Sequence, residues 1–418
     1  MEKGTNKENT EGFTTQIIHS DRRKPIEHDS LHRPIHTSIT YEYAEARDIA
    51  DVFQGKASGY TYGRQVSPTT SALEDKITLM ENGLSTTCFS TGMAAITAVM
   101  LSLLRQGDHF ISSAYLFGNT NSFFNTLTNF GIEVSFVDAT DVQQVKAAIR
   151  PNTKAVFVET IANPCTQVAD LEGIGALCEQ QNLLYIVDNT ITSPFLFQPK
   201  TVKAGLIINS LSKCISGHGN VLGGAVTETG LYDWSSFENI YDDYKKGDVA
   251  NWGMLQIKKK GLRDTGGTLS PKAAHDIGIG AETLALRQER SGSNALAVAR
   301  YCNAHPRVKR VLYPGLEIHP EFARAKSLFR NSSFLLSVEL EDGIDCFDFL
   351  NALKIVVITS NLGDNRTLAI PVAQTIFYEM GVARRESMGI SDNMIRLSIG
   401  IEDERDLLND IEQALTKC

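Results

Sequence analysis

Five residues that could do chemistry stand beside short apolar runs of the kind that form buried strands. They are a glycine that opens a helical stretch, an asparagine, an aspartate, a lysine and an arginine, namely Gly92, Asn163, Asp188, Lys213 and Arg396. Taken alone, each has an ordinary role, such as a helix cap, a surface charge or one half of an ion pair. Their chemistry becomes specific only when the five are considered together.

Together these side chains match the groups of pyridoxal phosphate (PLP). Lys213, which has serine hydroxyls on either side of it in the sequence, can hold an aldehyde as a Schiff base, while hydroxyls and helix N–H groups bind a phosphate. Asp188 can keep a pyridinium nitrogen protonated, and the Asn163 amide can bond a ring oxygen. The guanidinium of Arg396 can take a substrate carboxylate through two hydrogen bonds. The set therefore predicts a PLP site.

A competing motif overlaps the lysine. Ser210-Leu-Ser-Lys213 matches S-x-x-K, and Ser391-Asp-Asn393 matches S-D-N, both of which occur in penicillin-recognising serine hydrolases. That family also carries K-T-G, which this sequence lacks, and its serine opens a helix. Ser210 instead ends an apolar, β-rich run, so we favour the PLP interpretation.

The elements that must position these residues alternate along the chain. From about residue 85, short apolar runs alternate with helical stretches, which indicates βαβ units and an α/β fold whose mostly parallel sheet has helices on both faces. A capping-box pattern from Thr140 to Gln143 predicts a helix to about residue 149, and residues 281–304 read as one long helix. In such sheets ligands bind beyond the carboxyl ends of the strands, where the polar residues stand.

The pattern of apolar runs and helical stretches divides the chain into three parts. Residues 1–65 read as an N-terminal arm, with 1–10 as a disordered tail; residues 66–265 read as the PLP-binding large domain, and residues 266–418 as a smaller α+β domain. Within the large domain, residues 231–262 contain both tryptophans. We predict that this segment is a packed insertion or a subunit contact, with a substrate lid as the alternative.

Composition narrows the class of protein. The 418 residues carry a formal net charge of −9, which argues against a nucleic-acid protein that works by neutralising phosphates. No apolar stretch is long enough to span a membrane, and no secretory signal pattern is visible. Seven cysteines without a CxxC pair suit reduced thiols in the cytoplasm, and the nine histidines show no metal-binding spacing, so no metal site is expected.

On these motifs the chain resembles the PLP-dependent Cys/Met metabolism (trans-sulfuration) enzymes of fold type I, from about Gly12 to Ala414. That family includes cystathionine γ-synthase, cystathionine lyases, methionine γ-lyase and the O-acylhomoserine sulfhydrylases. The resemblance implies that Lys213 is the Schiff-base residue and proton shuttle, that Asp188 pairs with the pyridine nitrogen, and that Asn163 bonds the ring oxygen. The phosphate cup that it implies consists of Ser90, Gly92, Met93, Ser210 and Ser212.

The resemblance also implies a shared active site. Tyr62 and Arg64 match the family's Y-x-R, which reaches the phosphate of the neighbouring subunit, so the expected assembly is a homotetramer built as a dimer of dimers. Arg396 would bind the α-carboxylate of a small amino-acid substrate. Phe117, in Tyr115-Leu-Phe-Gly-Asn-Thr120, falls where an aromatic ring stacks on the cofactor.

Three departures from the family pattern bear on the reaction. Most members have Tyr at position 117, and its hydroxyl assists proton transfer, whereas Phe117 keeps only the stacking. Many relatives have Ser where this chain has Asn361, a candidate substrate-binding residue; with Phe117 this most resembles the O-succinylhomoserine sulfhydrylase branch. Asn119 stands where the methionine γ-lyase branch carries Cys, which weakens that option.

Three functional hypotheses follow. The first is γ-replacement, in which an activated homoserine is joined to a sulfur nucleophile in methionine biosynthesis; it rests on Phe117 and Asn361. The second is a carbon–sulfur lyase acting on cystathionine or methionine. The third is a PLP-binding protein without turnover, which the presence of Lys213, Asp188 and Arg396 disfavours.

Overall fold

The computed structural model describes residues 11–418, and the predicted tail of residues 1–10 lies outside this range. Two sheets organise the chain. The strands of the first sheet, β1 to β7, are Ser85–Phe89, His109–Ser113, Glu133–Val137, Thr153–Glu159, Leu184–Asp188, Leu206–Asn209 and Gly224–Glu228. The strands of the second, β8 to β12, are Val308–Leu312, Leu335–Leu340, Val357–Ile358, Leu368–Pro371 and Met394–Ser398.

Helices precede, connect and cover these sheets. In chain order, α1 to α8 are Phe13–Ile18, Ala46–Phe53, Pro68–Met80, Gly92–Leu103, Gly118–Leu127, Val142–Ala147, Leu171–Gln181 and Ser193–Leu196. The later helices, α9 to α15, are Trp252–Gln256, Pro271–Glu282, Leu284–Ala304, Phe322–Leu328, Cys346–Ala352, Val382–Ser387 and Glu404–Lys417. A π-helical turn, Ile257–Arg263, continues α9. Among residues 11–418, no helix combines the length and the apolar character needed to cross a bilayer.

The first sheet has the strand order β1-β7-β6-β5-β4-β2-β3 and is parallel except at β7, which runs antiparallel to both of its neighbours. The predicted α/β fold is therefore confirmed. The central strands bury continuous Val, Ile and Phe runs because apolar clusters cover both faces of the sheet. The second sheet, β10-β11-β12-β9-β8, is largely antiparallel and packs against α11 and α13, which in turn contact α15.

The structure corrects several sequence-based boundaries. Asp141, not Thr140, caps α6, because its carboxylate accepts the Gln143 N–H at 2.9 Å, and the helix ends at Ala147. The long helix predicted for residues 281–304 is α11, which begins three residues later, at Leu284, because Thr283 separates it from α10. Strand β7 and the helices α1 and α2 of the arm were not predicted. The domain boundaries at residues 65 and 265 stay predictions.

The segment 231–262 packs against the first sheet and α4. Trp234 is fully buried between Tyr232 and Phe237, and its Nε1–H donates to Glu228 at 3.0 Å. The π-helical turn lies on α4 so closely that a Cβ on Gly261 would meet the Ala98 carbonyl oxygen at 2.7 Å. These contacts favour a packed insertion over a lid.

Candidate active site

A cavity of about 420 Å³ lies beyond the carboxyl ends of β4, β5 and β6, where the parallel sheet meets the second sheet. Nine of its eighteen lining residues lie between the start of α4 and Asp188, four lie between Thr190 and Lys213, and five lie between Ser360 and Arg396. The lining residues are Gly92, Met93, Ile96, Phe117, Asn119, Thr120, Glu159, Asn163, Asp188, Thr190, Ile191, Ser210, Lys213, Ser360, Asn361, Leu362, Ile376 and Arg396. The structure thus brings together nine of the sequence-predicted site residues.

Lys213 follows β6 in the chain and lines the cavity. Its Nζ donates a hydrogen bond to Asn361 Oδ1 at 2.8 Å, across the junction between the two sheets. Burial, reinforced by the positive charge of Arg396, lowers the pKa of the Lys213 amine to about 8. About a tenth of the amine is therefore neutral at pH 7, the form that a nucleophile or a base requires.

Asp188 is the last residue of β5 and lines the cavity. Its Oδ1 accepts the backbone N–H of Thr190 at 2.9 Å, which fixes the carboxylate at the strand end. Burial raises the pKa of Asp188 to about 6, and the hydrogen bonds from Thr190 oppose that rise. A cationic ring nitrogen beside this carboxylate would stabilise its charged form.

Arg396, in the middle of β12, is 2% exposed. Its Nη2 donates to the carbonyl oxygens of Ser360 at 3.0 Å and Asn361 at 2.9 Å, and its Nη1 donates to Asn163 Oδ1 at 3.3 Å. Nε is buried and has no partner, and no acidic side chain among residues 11–418 lies within 4.0 Å of this guanidinium. Burial lowers the pKa of Arg396 to about 10. A buried guanidinium without a counter-ion suits an anionic substrate group.

The amino end of α4 and the end of β6 form one corner of the cavity. A Cβ on Gly92 would lie 2.8 Å from the Cβ of Ser210, so only glycine lets the helix begin this close to the strand. Thr91 caps the helix by accepting the Ala94 N–H at 2.9 Å. Free N–H groups at the start of this twelve-residue helix can hold a phosphate.

Four predicted site residues do not line the cavity of their own chain. The hydroxyl of Ser212 exchanges hydrogen bonds with the backbone of Gly223, at 2.9 and 3.2 Å, and the backbone N–H of Ser90 donates to the Gly267 carbonyl at 2.7 Å. Tyr62 is 40% exposed, and the guanidinium of Arg64 lies 5.4 Å from its ring centroid. Both residues of the Y-x-R motif therefore stay outside this cavity.

The sequence did not lead us to predict that Glu159, Thr190 and Ile376 line the cavity. The signal for Glu159 and Thr190 was present, because one ends a predicted strand and the other follows one. Ile376 carried no such signal, since it lies in an irregular loop after β11.

The family model "Cys/Met metabolism PLP-dependent enzyme" matches residues 14–416. The chain belongs to this family. It is a PLP-dependent enzyme of the trans-sulfuration group, acting on small amino-acid substrates.

Curated relatives include both lyases and sulfhydrylases. An L-methionine γ-lyase from Fusobacterium nucleatum subsp. polymorphum is 36% identical over 97% of this chain and 98% of its own. An O-acetyl-L-homoserine sulfhydrylase from Corynebacterium glutamicum is 33% identical over 96% of both chains. Methionine γ-lyases are thus among the relatives, although this chain has Asn119 where the methionine γ-lyase branch carries Cys.

Solved structures agree with the fold. A Campylobacter jejuni protein assigned as an O-acetylhomoserine (thiol)-lyase has a TM-score of 0.92 and 30% identity, covers 97% of this chain and 100% of its own, and carries pyridoxyl-lysine phosphate at its position 205. Cystathionine γ-lyase from Lactobacillus plantarum has a TM-score of 0.86 and 30% identity, with 97% and 99% coverage. Fold type I is therefore confirmed.

The residues present fit PLP. The cavity offers an amine of lowered pKa for the aldehyde, a buried carboxylate for the ring nitrogen and a helix N-terminus for the phosphate, supplied by Lys213, Asp188 and Gly92. The unpartnered Nε of Arg396 remains available for the carboxylate of the amino acid. When bound, the cofactor acts as an electron sink that stabilises negative charge at the α-carbon of the substrate.

Proposed function

We propose that this enzyme catalyses γ-replacement, in which an O-acylated homoserine is joined to a sulfur nucleophile to give homocysteine or cystathionine. The observation that carries the proposal is Phe117, which lines the cavity wall and has no hydroxyl. In this assignment Lys213 is the one amine that moves protons at the substrate's carbon atoms, and Arg396 binds the α-carboxylate.

The leaving group distinguishes the candidate reactions. A carboxylate leaves without a proton, because its conjugate acid has a pKa of about 4, whereas a thiolate has a conjugate acid of pKa about 8.5 or above and benefits from a proton donor. A tyrosine hydroxyl at position 117 could donate that proton, and Phe117 cannot. The missing hydroxyl therefore slows carbon–sulfur cleavage more than it slows departure of the carboxylate.

The remaining assignments complete the proposed site. Asp188 and Asn163 hold the cofactor ring, Phe117 stacks on it, and Asn361 positions the Lys213 amine through their 2.8 Å hydrogen bond. Ser90, Gly92, Met93, Ser210 and Ser212 form the phosphate cup; Ser212 acts through the backbone of Gly223, to which its hydroxyl is bonded.

Tyr62 and Arg64 lie outside their own cavity and are partly exposed, which supports the proposal that they complete the phosphate site of a neighbouring subunit. The proposed assembly is accordingly a dimer of dimers with shared sites. The seven cysteines are free, and six of them are buried, which supports a place in the reducing cytoplasm.

A carbon–sulfur lyase is the second candidate, because the L-methionine γ-lyase relative is 36% identical along nearly the whole chain. Parallel incubations separate the two. The PLP-loaded enzyme is given an O-acyl-L-homoserine, either acetyl or succinyl, with sulfide or L-cysteine, and homocysteine and cystathionine are measured. In parallel it is given L-methionine or L-cystathionine alone, and keto acid is measured. We expect thioether or thiol product to exceed keto acid; the reverse ratio would establish a lyase.

A further inference from the structure

Glu159, the last residue of β4, makes a contact that joins two distant parts of the active site. Its Oε1 accepts the backbone N–H of Phe117 at 2.8 Å, across 42 residues of sequence. Phe117 is the residue that caps α5, and its side chain has no oxygen that could bond the first turn. The start of α5, and with it the Phe117 ring, is therefore fixed from outside the helix by the Glu159 carboxylate.

Glu159 also lies beside the other residues that face the cofactor ring. It is the register partner of Asp188 on the neighbouring parallel strand. Burial and the nearby Asp188 raise the pKa of Glu159, and the backbone N–H groups of Phe117 and Asn163 oppose this rise. One buried carboxyl group thus contacts the backbone of Phe117 and Asn163 and lies next to Asp188, the three residues that the proposed function assigns to the cofactor ring.

We propose that Glu159 is a positioning residue that holds Phe117 at the stacking distance over the PLP ring. This inference rests on the proposed function, since Phe117 meets the ring only if PLP binds in this cavity. Glu159 acts through Phe117 and takes no proton from the substrate. A carboxyl group suits this role because its two oxygens can accept two backbone N–H groups at once.

Cofactor circular dichroism tests the proposal, because the visible signal of bound PLP reports how the ring is held. The PLP-loaded wild type is compared with E159A, E159Q, F117A and the double variant F117A/E159A, with E133A as a control on an exposed glutamate of β3. We expect E159A to lose most of the cofactor signal that F117A loses, and to lower kcat about tenfold because the stacked ring is misplaced.

Three outcomes support the inference: E159A resembles F117A, the double variant is no worse than F117A alone, and E159Q recovers most of the signal because its amide oxygen still accepts the Phe117 N–H. An unchanged cofactor signal in E159A, or losses that add in the double variant, would overturn it. An E159Q variant as impaired as E159A would overturn it too, since the charge rather than the contact would then matter.

A folding defect in E159A, or a wrong reaction assignment, can be told apart from a failure of the inference about Glu159. Should E159A not fold, Glu159→Met, which fills the same volume without an acceptor, replaces it in the comparison. Because the circular dichroism requires no substrate, an enzyme that lacks replacement activity but shows the expected signals would contradict the proposed reaction and leave the role of Glu159 standing. Loss of PLP binding by the wild type would instead contradict the site assignment itself.

Discussion

At the scale of single residues, the protonation of the Lys213 amine depends on burial and on two neighbouring groups. Burial and the positive Arg396 disfavour the protonated amine, whereas Cys214 favours it. The net result is a pKa of about 8, so the neutral fraction is about a tenth at pH 7 and rises as the pH increases through 8.

This pKa predicts how the apo-enzyme takes up PLP. Only the neutral amine attacks the aldehyde, so we expect the association rate to increase with pH, with a midpoint near 8, and then to level off. In R396Q the positive charge that disfavours protonation is removed, so the midpoint moves to higher pH. Stopped-flow absorbance of PLP binding measures both profiles. A midpoint that stays unchanged in R396Q would contradict the electrostatic coupling of the two residues.

The sequence could predict which residues meet at the site but not how they are partnered. Asp188, Asn163 and Lys213 follow strands of one parallel sheet, whose carboxyl ends meet at one edge, so their convergence follows from the strand pattern. The contacts of Arg396 with backbone carbonyls could not be predicted in this way. They depend on how the loop after β10 folds over β12, which is set by tertiary packing.

At the scale of elements, the sequence likewise predicts some helices and strands and not others. Helix α7 and strand β5 lie where the hydrophobic pattern placed them, because strong periodicity and a capping aspartate mark their ends. Strand β7 was not predicted because its sequence, Gly-Ala-Val-Thr-Glu, contains only one of the large apolar residues that mark the other buried strands. The start of α11 was predicted three residues early because the two helices are separated by a single residue, Thr283, and α10 already ends at Glu282.

The junction of α4 with β6 yields a prediction about glycine. In G92A the new Cβ would lie 2.8 Å from the Cβ of Ser210, so the amino end of α4 must shift and its N–H groups move away from the phosphate. We expect PLP to bind about tenfold more weakly, as for the loss of one good hydrogen bond to a charged group. Equilibrium titration of the apo-enzyme with PLP measures the change.

Gly278 in α10 provides a matched control, because a Cβ there meets nothing within 4 Å. G278A is expected to bind PLP normally and to increase the free energy of unfolding by about 0.5–1 kcal/mol, since alanine favours a helix interior. Equal weakening of PLP binding in both variants would show that general destabilisation, rather than the geometry at Gly92, is responsible.

At the scale of the whole molecule, Tyr62 and Arg64 are tied to their own chain at a distance from its cavity. Thr268 donates a hydrogen bond to the Arg64 carbonyl at 2.7 Å, and Arg64 lies over the Tyr62 ring. The segment is thereby held in place with the ring 40% exposed, as a contribution to another subunit's site requires. In the proposed assembly each active site combines Lys213 of one chain with Arg64 of its neighbour.

Complementation between two inactive variants tests this arrangement. K213A lacks the amine and R64A lacks the phosphate contact, so each alone is expected to be inactive or strongly impaired. In a mixed dimer one of the two sites regains both residues, so co-expressed K213A and R64A recover about a quarter of wild-type activity if subunits assort at random. K213A co-expressed with D188A is the control, because both residues line the same cavity of one chain and no mixture restores it. Recovery in neither mixture would mean that each chain builds its site alone, and recovery in the control would mean that Lys213 and Asp188 do not belong to one chain's site.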